Sequence, residues 1–381
     1  MAFDFPNAPT DGQVYTPLPG LNYAWSAAAG RWETVPFATA EPFNYIVNPS
    51  MLINQENQTS TVSTNGAFPV DQWAINHTWT DAMTGGQVAL VSPRGSPNRF
   101  VWATNVVRTS FVAGDFAMVH QGIEGYRTAH LQWGSPNAKQ IVIRFTIRTL
   151  VFTGTLYLSV RNNTGERSYV TPITIPAAGV DYEKVIVIPG DTGGTWPTNT
   201  DAGVTIDIVG ACGTFFTAPA SNVWTAGNYL VGPGMGNMAA SVSNVIFLTD
   251  FGLYADPLKT GLPPPWQAVS EQQALTECQR YAWPCRNMIG VSYAGTYMLR
   301  ARVTCPVPMR VVAAIAISPV GGAPAYCWDS VAMLPVSAVY FYGDAQILEA
   351  DVLCTGSGFI TGVINQQLCE YAGYLLISGR M

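Results

Sequence analysis

Acid–base chemistry has few candidates in this chain: three histidines (His77, His120 and His130) and 24 acidic residues spread over 381 positions. His77 stands two residues from Trp79 and His130 beside Leu131, and both read as surface or core-edge histidines on strands. Gly356-Ser-Gly358 is a glycine-flanked serine without the outer spacing of a nucleophile elbow or a nearby histidine, and it reads as a turn. Gly232-Pro-Gly-Met-Gly236 does not separate a strand from an amphipathic helix. Pro233 also removes a donor that a phosphate-binding loop needs, so a loop of a β-sandwich is the better reading. Asp191, Asn199 and Asp201 bracket a Gly/Thr-rich loop and could offer oxygens to Ca²⁺. Their spacing fits no EF-hand, and turn residues bonding their own backbone are the preferred account, so the expected cofactor is none, with Ca²⁺ the one candidate.

Cysteine is distributed unevenly. Cys212 stands alone early in the chain, whereas Cys278, Cys285, Cys305, Cys327, Cys354 and Cys369 fall near its end. Zinc is disfavoured: there is no Cys-x2-Cys pair, and the C-terminal part has no histidine. Two readings stay open. The thiols are small buried hydrophobes, or they form disulfides outside the cell, where an odd count leaves one for an intermolecular bond.

The elements that must position any site are set by composition. Charged residues make up only 11% of the chain, against roughly 25% in an average soluble protein, while 36 glycines, 27 prolines and 12% aromatics punctuate it. That excludes a coiled coil or charged helical bundle, and 48% hydrophobic content excludes general disorder. The net charge of −6 and the lack of a basic stripe argue against nucleic acid. No signal peptide is read at the N-terminus. The longest apolar run, Val311 to Ile317, is far short of the roughly 20 residues of a membrane helix, so no membrane insertion is expected.

Along the chain, residues 1–40 carry short aromatic strands between Pro/Gly turns and predict a hairpin or three-stranded meander that docks on the rest or on a partner. Residues 41–257 alternate strand-like runs with turns. Ile141, Ile143, Phe145 and Ile147 share one face at period two, as do Leu156, Leu158 and Val160, predicting an antiparallel sandwich or barrel. Residues 258–285 hold the Pro263-Pro-Pro265 linker and a short helix, Ser270 to Tyr281, with Ser270 as N-cap. Residues 286–381 return to strands as a second, smaller, Cys-rich β domain. The fold class is all-β.

Several motifs fall into a familiar order. Phe5-Pro-Asn-Ala-Pro-Thr-Asp-Gly-Gln-Val-Tyr15, Tyr23-Ala-Trp25 and Arg31-Trp32 resemble the N-terminal module of tail-associated proteins of tailed bacteriophages. Asn48-Pro-Ser-Met-Leu-Ile-Asn-Gln55, Phe68-Pro-Val-Asp-Gln-Trp73, Gln121-Gly-Ile-Glu-Gly-Tyr126, Leu131-Gln-Trp-Gly134, Pro136-Asn-Ala-Lys-Gln140 and Ile188-Pro-Gly-Asp-Thr-Gly-Gly-Thr-Trp196 resemble the β-sandwich of phage tail-fibre and neck-fibre proteins. Glu277-Cys-Gln-Arg-Tyr281 is similar to the helical ending that follows it. The resemblance covers about residues 1–283. It implies a jelly-roll sandwich of carbohydrate-binding type, with host-glycan attachment or virion architecture as its role.

The expectation that follows is a non-enzymatic virion protein of the tail, neck or collar. It would be assembled in the host cytoplasm, be extracellular after lysis, and have itself and other phage tail or neck proteins as partners. The C-terminal cysteines could then lock subunits together. The alternative is a receptor-binding protein that holds host surface polysaccharide through the sandwich, with Trp73, Trp79, Trp133, Trp196 and Trp224 as candidate sugar platforms. A polysaccharide-modifying enzyme is the third reading, disfavoured by the lack of paired carboxylates on a recognisable scaffold.

Overall fold

A computed structural model describes residues 5–11, 13–18, 21–34, 43–285, 288–292, 298–310, 314–316, 326–328, 333–343, 347–354, 364–368, 375–378 and 380. The chain divides into two compact units, Met1–Phe43 and Asn44–Met381. In the first, β1 (Val14–Leu18), β2 (Leu21–Ser26) and β3 (Arg31–Thr34) form an antiparallel meander. Aromatic residues supply what so short a sheet cannot bury by area. Trp25 and Trp32 stand directly opposite on neighbouring strands, and Phe5 stacks on Trp32 at 5.4 Å and meets Tyr23 edge-on at 5.0 Å.

The second unit is built on a jelly-roll sandwich. Its strands are β4 (Ala74–His77), β5 (Met83–Ala89), β6 (Asn98–Thr104), β7 (Phe116–Glu124), β8 (Ile141–Thr149), β9 (Gly154–Arg161), β10 (Arg167–Ile175), β11 (Tyr182–Ile188), β12 (Ala202–Cys212), β13 (Trp224–Ala226) and β14 (Val245–Ala255). They pair antiparallel in two sheets, one ordered β13-β10-β9-β12-β7-β4 and the other β11-β8-β14-β6-β5. The chain crosses between sheets at β4–β5, β6–β7, β7–β8, β8–β9, β10–β11, β11–β12 and β13–β14, so the sheets are wound together rather than stacked. Ile141, Ile143, Phe145 and Ile147 face Leu156, Leu158 and Val160 across one core, the period-two faces expected from the sequence.

Both outer faces carry cover. Over the five-stranded sheet, the proline linker passes β8: Arg144 donates to the Pro264 carbonyl at 2.8 Å and lies over the Trp266 ring. Over part of the six-stranded sheet, Ala218, Leu230 and Val231 of the β12–β14 connection pack on Met118, Tyr157, Val170 and Val209. The glycine run 232–236 belongs to this cover, where an added Cβ at Gly232 would meet the Ser221 hydroxyl at 2.1 Å.

Among the described residues, two short α-helices accompany the sheets. One is the single turn α1 (Gly125–Thr128) after β7; the other, α2, spans Glu271–Gln279 and begins where the Ser270 hydroxyl accepts from the Gln273 N–H at 3.2 Å. Beyond them, β15 (Ala282–Cys285), β18 (Ala314–Ala316) and β23 (Leu375–Ser378) form a small sheet. A six-stranded closed barrel contains β16 (Met288–Ser292), β17 (Met298–Thr304), β19 (Tyr326–Trp328), β20 (Met333–Gly343), β21 (Ile347–Cys354) and β22 (Ile364–Leu368).

Candidate functional site

Because side chains alternate along a strand, the outer face of the six-stranded sheet presents two adjoining rows. His120 on β7 stands opposite Asp207 on β12, which stands opposite Ser159 on β9. In the next row, Gly122, Thr205 and Arg161 line up on the same strands, and Gly122 has no side chain to fill the space. A cleft of about 350 Å³ opens over these rows. His120, Arg161, Asn163, Asp201, Thr205 and Arg310 line it, with no Phe, Tyr or Trp among the described lining residues. Arg310 comes from the segment after β17 and is steadied by hydrogen bonds to the Thr200 and Arg380 carbonyls.

Asp207 organises the cleft floor from 0% exposure. One carboxylate oxygen takes the His120 Nδ1 contact at 2.6 Å, and the other accepts from Arg161 Nε at 2.8 Å. Burial opposes charge on this carboxyl, but the Arg161 guanidinium and the His120 contact outweigh it and hold Asp207 below its usual range. Arg161 is fixed again by Asn228, whose Oδ1 accepts from Nη1 at 2.6 Å. The result is a histidine and an arginine locked in orientation on either side of one buried anion.

The tryptophans proposed as sugar platforms lie elsewhere. Trp73 has 0% exposure, packs on Phe251 at 4.6 Å and donates from Nε1 to the Asn48 carbonyl; it is core, because a ring between two sheets offers no face to solvent. Trp79 is also buried, between Phe111 and the Arg108 guanidinium. Trp133, Trp196 and Trp224 are brought together with centroids 4.6 to 5.5 Å apart. Each donates its indole N–H to a loop carbonyl, of Lys139, Gly193 and Pro189 respectively. The cavity beside Trp133 and Trp196 is about 20 Å³, room for one water and not for a sugar ring.

Of the Ca²⁺ candidates, Asp191 is buried and gives both oxygens to Arg167 at 2.6 and 2.7 Å. Asn199 and Asp201 bond each other in an exposed turn at 2.9 and 3.0 Å. Among the described residues, no three His, Cys, Asp or Glu side chains converge.

No disulfide is formed among the described residues. Cys278 is a buried thiol on α2, Cys212 a half-buried one and Cys305 is buried. Cys369, the side chains of Cys285, Cys327 and Cys354, and Gly356-Ser-Gly358 lie outside the described residues.

Neither Arg161, Asp207 nor Arg310 stands out by motif. The signal that marks Asp207 is a lone acid inside the apolar strand Val204-Thr-Ile-Asp-Ile-Val209, where a charge has to find a partner.

No family model matches this chain, and no curated protein does. Similar solved structures include the enzymatically active domain of tailspike protein 4 of bacteriophage CBA120, at 14% identity and a TM-score of 0.30, covering 56% of this chain. The chain spans 21% of the length of that structure. Others are TmCBM61 in complex with β-1,4-galactotriose (12% identity, TM-score 0.28, 56% of this chain and 99% of that one) and the family 11 carbohydrate-binding module of a Clostridium thermocellum cellulosomal cellulase (12%, 0.25, 52% and 97%). Scores this low carry no argument about the chain, and its fold class rests on its own two sheets.

Proposed function

We propose that this chain is a non-enzymatic virion protein of a tailed bacteriophage that holds surface glycan in the cleft of its six-stranded sheet. The cleft carries the reading. Its floor and rim present guanidinium, imidazole, amide, hydroxyl and carboxylate groups in about 350 Å³. Such a site suits a hydroxyl-rich ligand recognised by hydrogen bonds rather than by stacking on rings. The motif resemblance over residues 1–283 supplies the phage setting.

The test is calorimetric titration of the full chain with capsule and lipopolysaccharide from a bacterial panel. Saturable binding without change in polymer length is expected, and the absence of binding across the panel overturns the reading.

A role in tail or neck architecture, as a homo-oligomer, is the second reading. It is favoured by Val185, Val187, Leu258 and Leu262, large apolar side chains exposed on β11 and the segment after β14. Light scattering of the purified protein tests it, and a strictly monomeric species sinks it.

A further inference from the structure

We infer that His120 and Arg161 together read two neighbouring hydroxyls of a neutral sugar, His120 Nε2 accepting from one and the Arg161 guanidinium donating to the other. This rests on the glycan reading of the cleft and adds the ligand class and the atoms that select it.

The polarity of the pair follows from Asp207. An ionised carboxylate only accepts hydrogen bonds, so the contact at 2.6 Å requires His120 Nδ1 to carry the proton. In the neutral form of the ring that tautomer leaves Nε2 with a lone pair, and among the described residues Nε2 has no partner. Arg161 gives Nε to Asp207 and one Nη1 hydrogen to Asn228, and its Nη2 has no partner among the described residues either. An acceptor and a set of donors therefore line one cleft, each held by its opposite end to the same buried anion. Both orientations are set before any ligand arrives, which removes the ordering cost from binding.

A hydroxyl is a group that donates and accepts at once, so adjacent hydroxyls satisfy both sides. A carboxylate does not. It would confront the Nε2 lone pair, and the charges around His120 already balance: Arg161 and Arg310 against Asp207 and Asp201. Among the described lining residues the rim therefore carries no net positive charge to draw an acidic polymer.

The experiment is affinity electrophoresis of the full chain in gels carrying neutral polysaccharides (dextran, mannan, galactan) or acidic ones (alginate, polygalacturonate). Each polymer is used intact and after periodate oxidation with borohydride reduction, which breaks the bond between carbons bearing adjacent hydroxyls. Retardation by at least one intact neutral polymer is expected, falling at least tenfold in apparent affinity after periodate. His120→Phe and Arg161→Gln, checked for native melting, should show the same loss on the intact polymer.

Equal retardation by intact and oxidised polymer overturns the inference while leaving glycan binding in place. So does retardation confined to acidic polymers and abolished by salt. No retardation by any polymer overturns the inference and the glycan reading together. The periodate comparison uses the unaltered protein, so it decides even if neither variant folds.

Discussion

Asp207 shows how one buried charge can organise an outer sheet face. With no water to solvate it, the carboxylate depends on His120 and Arg161, and they in turn depend on it for orientation. Asp207→Asn keeps the shape but removes the charge, leaving Arg161 without its main counter-ion. The expected loss is about 3 kcal/mol, read by urea unfolding. Glycan affinity should fall too, because an amide no longer dictates which His120 nitrogen carries the proton. Cys278 makes a second case at this scale. Burial, followed by the nearby Asp71 and Glu277 charges, pushes its thiol well above the usual range, and burial pushes Cys212 up to about 12. Neither thiol should react with Ellman's reagent at pH 8 in the native protein, and Cys278 should become reactive only on unfolding. A cross-link through Cys278 would need α2 to leave the sandwich.

At the scale of elements, the motifs that carry the phage resemblance are joints. Asn48 accepts from the Leu52 and Ile53 N–H groups and donates to the Ile53 and Asp71 carbonyls. Gln121 pairs with both the N–H and the carbonyl of Val47. In the helical ending, Arg280 donates to the buried Glu124 carboxylate at 2.6 and 2.9 Å, while Cys278 and Tyr281 pack beside Val47 and Ile53. Gly125, in the same stretch as Gln121, allows a close approach of two backbones: an added Cβ would lie 2.4 Å from the Pro197 carbonyl oxygen and 2.9 Å from the Asn199 N–H nitrogen. Gly125→Ala must therefore displace the 197–201 loop, which carries Asp201 to the cleft rim. It should cost about 1–3 kcal/mol in thermal or chemical unfolding and weaken glycan binding as well. Unchanged binding in a destabilised variant would separate the loop from the site.

Across the whole second unit, polar ties run from the C-terminal segments back to the sandwich: Arg310 to the Thr200 carbonyl, Arg380 to Glu56, and Gln55 to the Ala282 carbonyl at 3.0 Å. Acid should weaken the molecule as a unit. Asp207 and Glu183 are both held below their usual ranges, their arginine partners overcoming burial. A carboxyl whose folded pKa is depressed adds stability in full above its unfolded value of about 4. That stability is lost as pH falls through the lower folded value. The melting temperature should stay nearly level from pH 7 to about 5 and drop below about pH 4, by calorimetry. In Asp207→Asn the acid-side drop should be smaller, since one depressed carboxyl is gone.

What the sequence by itself determined is local. Period two placed Ile141, Ile143, Phe145 and Ile147 on a core face, and Ser270 followed by Glu271 marked the start of α2, because strand alternation and helix capping act within a few residues. Residue type also named tryptophan as a platform, but type does not reveal burial, and the sandwich took Trp73 into its core while the loops took Trp133, Trp196 and Trp224 as pins. The cleft was decided only by tertiary structure. His120, Arg161, Asp207 and Arg310 are far apart in the chain. Antiparallel register sets His120 opposite Asp207 and Arg161 one row along, and the C-terminal segment adds Arg310. Register is fixed by the fit of whole apolar faces across the core, a property that no short stretch of sequence contains.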